Sequence, residues 1–216
     1  MTNDLNSLDK MEIFDSYAVP PQQEGDQADI VETRKASNSR QAKLFFDQAK
    51  DRLYDINKWD SISEGMSASF VLIDKYGNVK NGLPAVGDHI RINIPGPGSS
   101  AGEGYDWVRI EIVQEKNELE REFCIIKVRP SEDPSKKEGT AHFFESQATS
   151  SFIVKRDGIL LAAEIHGRNE KPNTDNKKLT DRIRNLVVST AATSGLAKIK
   201  WEKLAKGLLN FQKTRF

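Results

Sequence analysis

Cys124 is the only cysteine in 216 residues, so no disulfide can form within the chain. That scarcity fits a reducing compartment. Cysteine-pair metal sites are excluded by count, and no H-E-x-x-H spacing joins the three histidines. No stretch approaches the roughly 20 apolar residues of a membrane span, and the acidic start lacks the apolar run of a secretory signal. The expected location is the cytoplasm. Formal net charge is zero, so no global field favours nucleic acid. Neither a G-x-x-x-x-G-K-[ST] phosphate loop nor a G-x-S-x-G elbow is present, and no repeat or sustained heptad occurs. No cofactor and no metal are expected.

Charge is unevenly spread. Residues 1–34 carry eight acids against Lys10 and Arg34, a net of −6, whereas residues 176–216 carry ten Lys and Arg against Asp181 and Glu202, a net of +8. The composition of residues 1–35 buries little apolar surface and predicts a largely flexible acidic tail. Within it Met11, Ile13, Phe14, Tyr17 and Val19 form an apolar cluster suited to a short docking segment. Residues 36–216 are expected to form one domain.

That domain opens on an amphipathic helix over 39–58. Ala42, Phe45, Phe46, Ala49, Leu53 and Ile56 follow the helical spacing, with Asn38 as N-cap and Gln41 completing a capping box. Residues 67–166 then read as strands. Apolar residues alternate in Ala68–Leu72, Ile90–Ile94 and Val108–Ile112, while strand 121–128 is apolar on both faces and therefore central. Segments 141–156 and 159–165 form a hairpin across Asp157-Gly158. Short connections imply antiparallel pairing. Residues 176–211 end the chain as two helices, one striped by Leu179, Ile183, Leu186, Val187, Thr190 and Ala191 and closed by Gly195, the other by Ala197, Trp201, Leu204, Leu208 and Phe211. The fold class is α+β: a curved antiparallel sheet of six or seven strands, open or a partial barrel, packed by an N-terminal helix and two C-terminal helices. The sheet's apolar face is expected against helix 39–58 and the first C-terminal helix.

Three places attract attention. The loop 95–107 holds four glycines, Gly96, Gly98, Gly102 and Gly104, and leaves through Tyr105, Asp106 and Trp107. Backbone amides of such a loop can cradle an anion, but the context of a phosphate-binding motif is missing, which favours a plain hairpin tip. Tyr105 and Trp107 then share one strand face as contact residues and Asp106 takes the other. The second place is Glu164, His166 and Arg168, alternate residues of one strand, followed by Asn169. They gather a carboxylate, an imidazole and a guanidinium on one face, as a binding surface, a general base centred on His166, or a salt-bridged strand end. A three-histidine site with His89 and His142 requires the sheet to curl. The third is the basic surface of Lys198, Lys200, Lys203 and Lys206 beside Trp201, Leu208 and Phe211, which suits an anionic membrane surface, an acidic partner, or masking by the acidic tail. Cys124, in an apolar strand, is expected to be inert.

In element order, a helix, antiparallel strands and a long C-terminal helix, the chain resembles the helix-grip ligand-binding domains, departing from them in its single early helix and the break at Gly195. Val86-Gly87-Asp88 with a following strand, loop and Trp107-Val108 is similar to small SH3-like barrels. The leading expectation is a non-enzymatic cytoplasmic binding or assembly protein with a protein partner or a second copy. A helix-grip carrier of a small apolar ligand, and a hydrolase using His166 with Glu164 or Asp106, are the alternatives.

Overall fold

The computed structural model describes residues 18–66, 68–93, 105–135, 146–171 and 193–211, the last from its backbone alone up to residue 200. In chain order these form β1 (Asp26–Lys35), α1 (Ser39–Tyr54), a 3-10 turn (Ile56–Lys58), α2 (Trp59–Ile62), β2 (Ser69–Ile73), β3 (His89–Asn93), β4 (Tyr105–Glu118), β5 (Arg121–Pro130), β6 (Thr149–Asp157), β7 (Leu160–Glu170) and α3 (Thr193–Leu208). The strands make one antiparallel sheet in the order β1-β7-β6-β5-β4-β3-β2. β5 lies at its centre, where a strand apolar on both faces belongs.

Helix α1 begins where its cap dictates. The Asn38 side chain accepts a hydrogen bond from Gln41 N at 2.9 Å, and Gln41 Oε1 accepts one from Ser37 N at 2.8 Å. The capping box therefore closes one residue earlier than Asn38. Beyond Tyr54 the chain tightens into the 3-10 turn, so the segment read as one helix over 39–58 is two pieces, and α2 restarts just after it at Trp59.

Alternate residues of the strands divide the sheet into two faces. The inner face presents Phe70, Leu72, Ile90, Ile110, Ile126, Phe152, Val154, Ala163 and Ile165, which join one core with Phe46 and Leu53 of α1, Trp59 of α2 and Leu204 and Leu208 of α3. Four aromatics link these layers: Trp59 lies 4.7 Å from Phe152 and 5.5 Å from Phe70, and Trp201 lies 5.1 Å and 5.9 Å from the same two rings. Helix α3 is held at its C-terminal end, where unpaired carbonyls attract cations. Arg52 donates to the carbonyls of Gly207 (3.1 Å) and Asn210 (3.0 Å), and Arg34 to that of Leu209 (2.8 Å). Both guanidiniums lie about 5 Å from the centre of the Phe211 ring, which stacks on Phe45.

Two expectations change here. Residues 26–35, assigned by composition to the tail, form the edge strand β1 along the whole of β7. Gly195 does not end a helix: α3 runs through it, from Thr193 to Leu208. The helix expected over 176–192, and with it the packing assigned to the first C-terminal helix, lies outside the described residues, as does the glycine-rich stretch 94–104. Strand, two helical segments, six strands and a long helix across the concave face is the helix-grip arrangement, not a small SH3-like barrel.

Candidate functional site

The outer face of β7 gathers a charged network. Glu164, His166 and Arg168 alternate with the core residues Ala163, Ile165 and Gly167, so all three point away from the helices. Pairing with β1 sets Asp29 opposite His166. His166 Nδ1 lies 2.5 Å from Asp29 Oδ1, and its Nε2 lies 3.1 Å from Glu164 Oε2. Arg168 donates to the same Asp29 oxygen at 2.6 Å, and Lys155 of β6 meets Glu164 at 3.0 Å. Burial depresses the imidazole pKa, but hydrogen bonds to Glu164 and Asp29 outweigh it, and the net shift is upward from 6.5. Burial likewise raises the carboxyl pKa of Asp29 and Glu164, and His166 with Arg168 or Lys155 more than offsets this, leaving both lowered.

This network binds the edge strand to the sheet. A base whose folded pKa is raised contributes stability that is complete below its unfolded pKa and is lost as pH rises through the folded one. We therefore expect stability to decline as pH rises past about 6.5, with His166→Asn flattening that decline. Urea unfolding from pH 5.5 to 8.5 measures it; equal slopes for the two proteins would remove His166 from the account.

Asn169 has a separate task. Its φ is +56°, left-handed backbone that asparagine tolerates better than most residues. This turns its Oδ1 toward the chain ahead of β1, where it accepts hydrogen bonds from Gln23 N (2.7 Å) and Glu24 N (3.3 Å), while Asn169 N donates to Gln22 Oε1 (2.9 Å). Gly25 completes this join: its φ is +78°, and a β-carbon there would stand 2.9 Å from the Glu170 carbonyl.

Residues 105–107 divide as their alternation predicts. Tyr105 and Trp107 pair with Asn93 and Arg91 on the outer face, and Arg91 sits 4.7 Å from the Tyr105 ring centre. Trp107 is buried, and its Nε1 has no hydrogen-bond partner among the described residues; the same holds for Nδ1 of the nearby buried His89, whose pKa burial lowers. Asp106 pairs with Ile92, and Ile92 with Phe70, so its carboxyl shares their inner face. It is half-buried, takes no hydrogen bond or ion pair among the described residues, and is pushed up to about 6 by desolvation alone. Glu170, whose carboxyl crowds the position a Gly167 β-carbon would fill, is pushed up to about 7 by burial and by Asp26. Glu170 continues the charged run read from the sequence at Glu164, His166, Arg168 and Asn169, whereas Asp29 is not singled out there. Asp29 lies in a charged stretch far from its partners along the chain, and nothing local marks it.

His166 and Asp106 therefore stand on opposite faces and cannot work as one catalytic pair. His166 and Glu164 do meet, but each ring nitrogen of His166 already faces a carboxylate. His142 lies outside the described residues, and among the described residues no cluster of three metal-ligating side chains occurs. Cys124 is fully buried and its thiol pKa is driven upward by burial, so it is not poised as a nucleophile.

On α3, Lys203 donates to the Gly65 carbonyl at 2.8 Å. With exposed Lys206 it borders a cleft of about 410 Å³ against Glu32 and Arg34 of β1 and Glu64. Leu208 and Phe211, which a membrane-surface helix would insert, are buried in the core, and Trp201 packs against it. The side chains of Lys198 and Lys200 lie outside the described part. No helix among the described residues is long and apolar enough to cross a membrane. Of the stretch read as an acidic tail, residues 18–25 cross the outer face, opposite to α3, while Glu32, in β1, lines the cleft beside Lys203 and Lys206.

No protein family and no curated protein match the chain by sequence. Among solved structures, a hypothetical protein of Helicobacter pylori superposes with a TM-score of 0.52 at 9% identity, covering 89% of this chain and 91% of that one. A protein of Thermus thermophilus gives 0.41 at 12% identity over 84% and 94%. A truncated norcoclaurine synthase of Thalictrum flavum gives 0.41 at 12% identity over 89% and 99%. At such identities the likeness to the Helicobacter protein extends to the fold alone.

Proposed function

We propose that this chain is a non-enzymatic binding protein that holds a small, largely apolar molecule against the concave face of its sheet, as a helix-grip carrier does. Asp106 carries this reading. A half-buried carboxyl without a partner destabilises the protein that keeps it, and an apolar side chain in its place would remove that cost. Beside it stand Ile92, Val108 and Phe70, an apolar wall with one polar handle, the usual make-up of a ligand seat. A ligand bearing a hydroxyl or an amine would satisfy the carboxyl and lay its apolar body along that wall.

The test uses 1-aminoanthracene, an apolar amine whose fluorescence rises on leaving water. The expected result is a saturable rise with the full chain, lost in Val108→Trp, which fills the wall. Asp106→Leu is expected to weaken binding about tenfold or more, the worth of a hydrogen bond to a charged group. A carboxyl with a raised folded pKa costs stability once pH exceeds its ordinary value, so Asp106→Leu should also melt higher than wild type at pH 7.5. No fluorescence rise, or one indifferent to Val108→Trp, would sink the proposal.

One observation favours assembly as a second reading. Tyr76, Val79, Leu83 and Val86 are all exposed in the single connection between β2 and β3. That connection is tied down by Lys80–Asp88 at 2.6 Å and by Asn57 donating to the Lys80 carbonyl. Apolar side chains displayed on a fixed loop suit a protein partner. Light scattering of protein purified from cells tests it: a bare monomer at the highest attainable concentration removes this reading.

A further inference from the structure

The outer face of a sheet whose helices α1 to α3 lie on the other side is expected to be polar, yet Ile125 and Ile153 point outward and are fully buried. What covers them is the chain ahead of β1. Ala18 and Val19 pack on Ile125, Ile153 and Ile112, and Ser151 Oγ donates a hydrogen bond to the Ala18 carbonyl. From there the chain passes to Asn169, which holds Gln22 to Glu24, and enters β1. Residues 18–25 are thus a strap, tied at one end by Asn169 and seated at the other on an apolar floor.

The floor continues past Ala18. Phe123 follows Ile125 on the same face of β5, and next to it a groove of about 210 Å³ runs between Phe123, Lys155, Leu160 and Ala162. We propose that this groove is a docking site for residues 11–17 of the same chain, which extend the strap toward the β6–β7 turn. Seven residues reach about 23–25 Å when extended, more than the two to four residues of strand, at about 3.4 Å each, that separate Ile125 from the groove. Their chemistry matches. Met11, Ile13, Phe14 and Tyr17 supply apolar side chains for Phe123, Leu160 and Ala162. Glu12 and Asp15 would bring carboxylates to a surface edged by Arg121 and Lys155. Those cations already have partners at Asp157 and Glu164, so charge orients the segment and the apolar contact holds it. A site filled by a tethered segment is one that a free segment of the same kind, acidic and apolar in alternation, can enter in exchange.

Two measurements on the full chain test this. Benzoylphenylalanine placed at position 14 and irradiated in dilute solution should cross-link within the molecule to residues 121–125 or 155–164. Cross-links to α3 or to the β2–β3 connection, only between molecules, or none at all, overturn the proposal. A fluorescent peptide of residues 8–20 should bind Ile13→Asp/Phe14→Asp at least about tenfold tighter than wild type, because in wild type the tethered segment competes at a high effective concentration. Equal binding to both proteins, or to neither, overturns it as well.

Discussion

Replacing Gly207 with alanine is expected to destabilise the protein by about 2–3 kcal/mol, the usual cost of overfilling a packed site. For a chain of this size that is a fall in melting temperature of about 4–12 °C. Gly207 lies in the last turn of α3, pressed against the end of α2. A methyl group there would overlap the Ile62 carbonyl oxygen and stand 2.8 Å from its carbon. Backbone lies on both sides, so neither can yield without moving a helix. The sign is what makes the measurement informative. At an unobstructed helix position the same exchange stabilises by roughly 1 kcal/mol, because glycine is a poor helix former. Thermal unfolding followed by circular dichroism decides it, and an unchanged or raised melting temperature would refute this packing. The close approach also brings the α3 carbonyls within reach of Arg34 and Arg52, so losing it should loosen that clamp too.

Arg156→Met is expected to cost about 3–5 kcal/mol, as breaking a buried ion pair does. Arg156 and Glu122 are each only 4% exposed and meet at 2.6 Å; Arg156 also donates to the carbonyls of Gly158 (3.1 Å) and Leu119 (3.2 Å). Removing the guanidinium leaves Glu122 buried with only Lys43, at 3.0 Å, to balance it, and leaves two turns without their donor. Glu122→Leu/Arg156→Met removes both charges and should cost less than Arg156→Met alone, since the stranded carboxylate is the larger penalty. Urea unfolding of the two variants separates the effects. A double variant as unstable as the single one would mean that the turn carbonyls, not the charge, set the cost.

How far the sequence reveals this molecule depends on whether a segment's apolar pattern matches its surroundings. Phe45, Phe46, Ala49 and Leu53 face one core and spell out α1. The two-sided apolar run of β5 announces a central strand, and it occupies the centre. β1 escaped notice because it is an edge. Its inner positions include Ile30 but also Glu32 and Arg34, which border the cleft beside α3, so no apolar alternation rises above the charge. Gly195 misled because glycine's weak helical preference was overridden in the folded chain. The common face of Glu164, His166 and Arg168 follows from strand periodicity, and so does the separation of Asp106 from Tyr105 and Trp107. Their partners do not. Asp29 meets His166, and Asn169 holds Gln23, through pairings set by topology, which no local pattern records.

The place of β1 in the sheet has a consequence during translation. Of the described strands it is the first to leave the ribosome, and its partner β7 is the last: Lys35 pairs with Leu160 and Asp26 with Glu170. At synthesis rates of roughly 5–20 residues per second, β1 waits for something like 6 to 30 s with no strand to join. Its sequence suits that wait. Asp26, Asp29, Glu32 and Arg34 leave no apolar run longer than Ile30-Val31, so the unpaired segment makes a poor template for the strands of other nascent chains. The charges that hid this strand from view are also what keep it solitary until its partner is made.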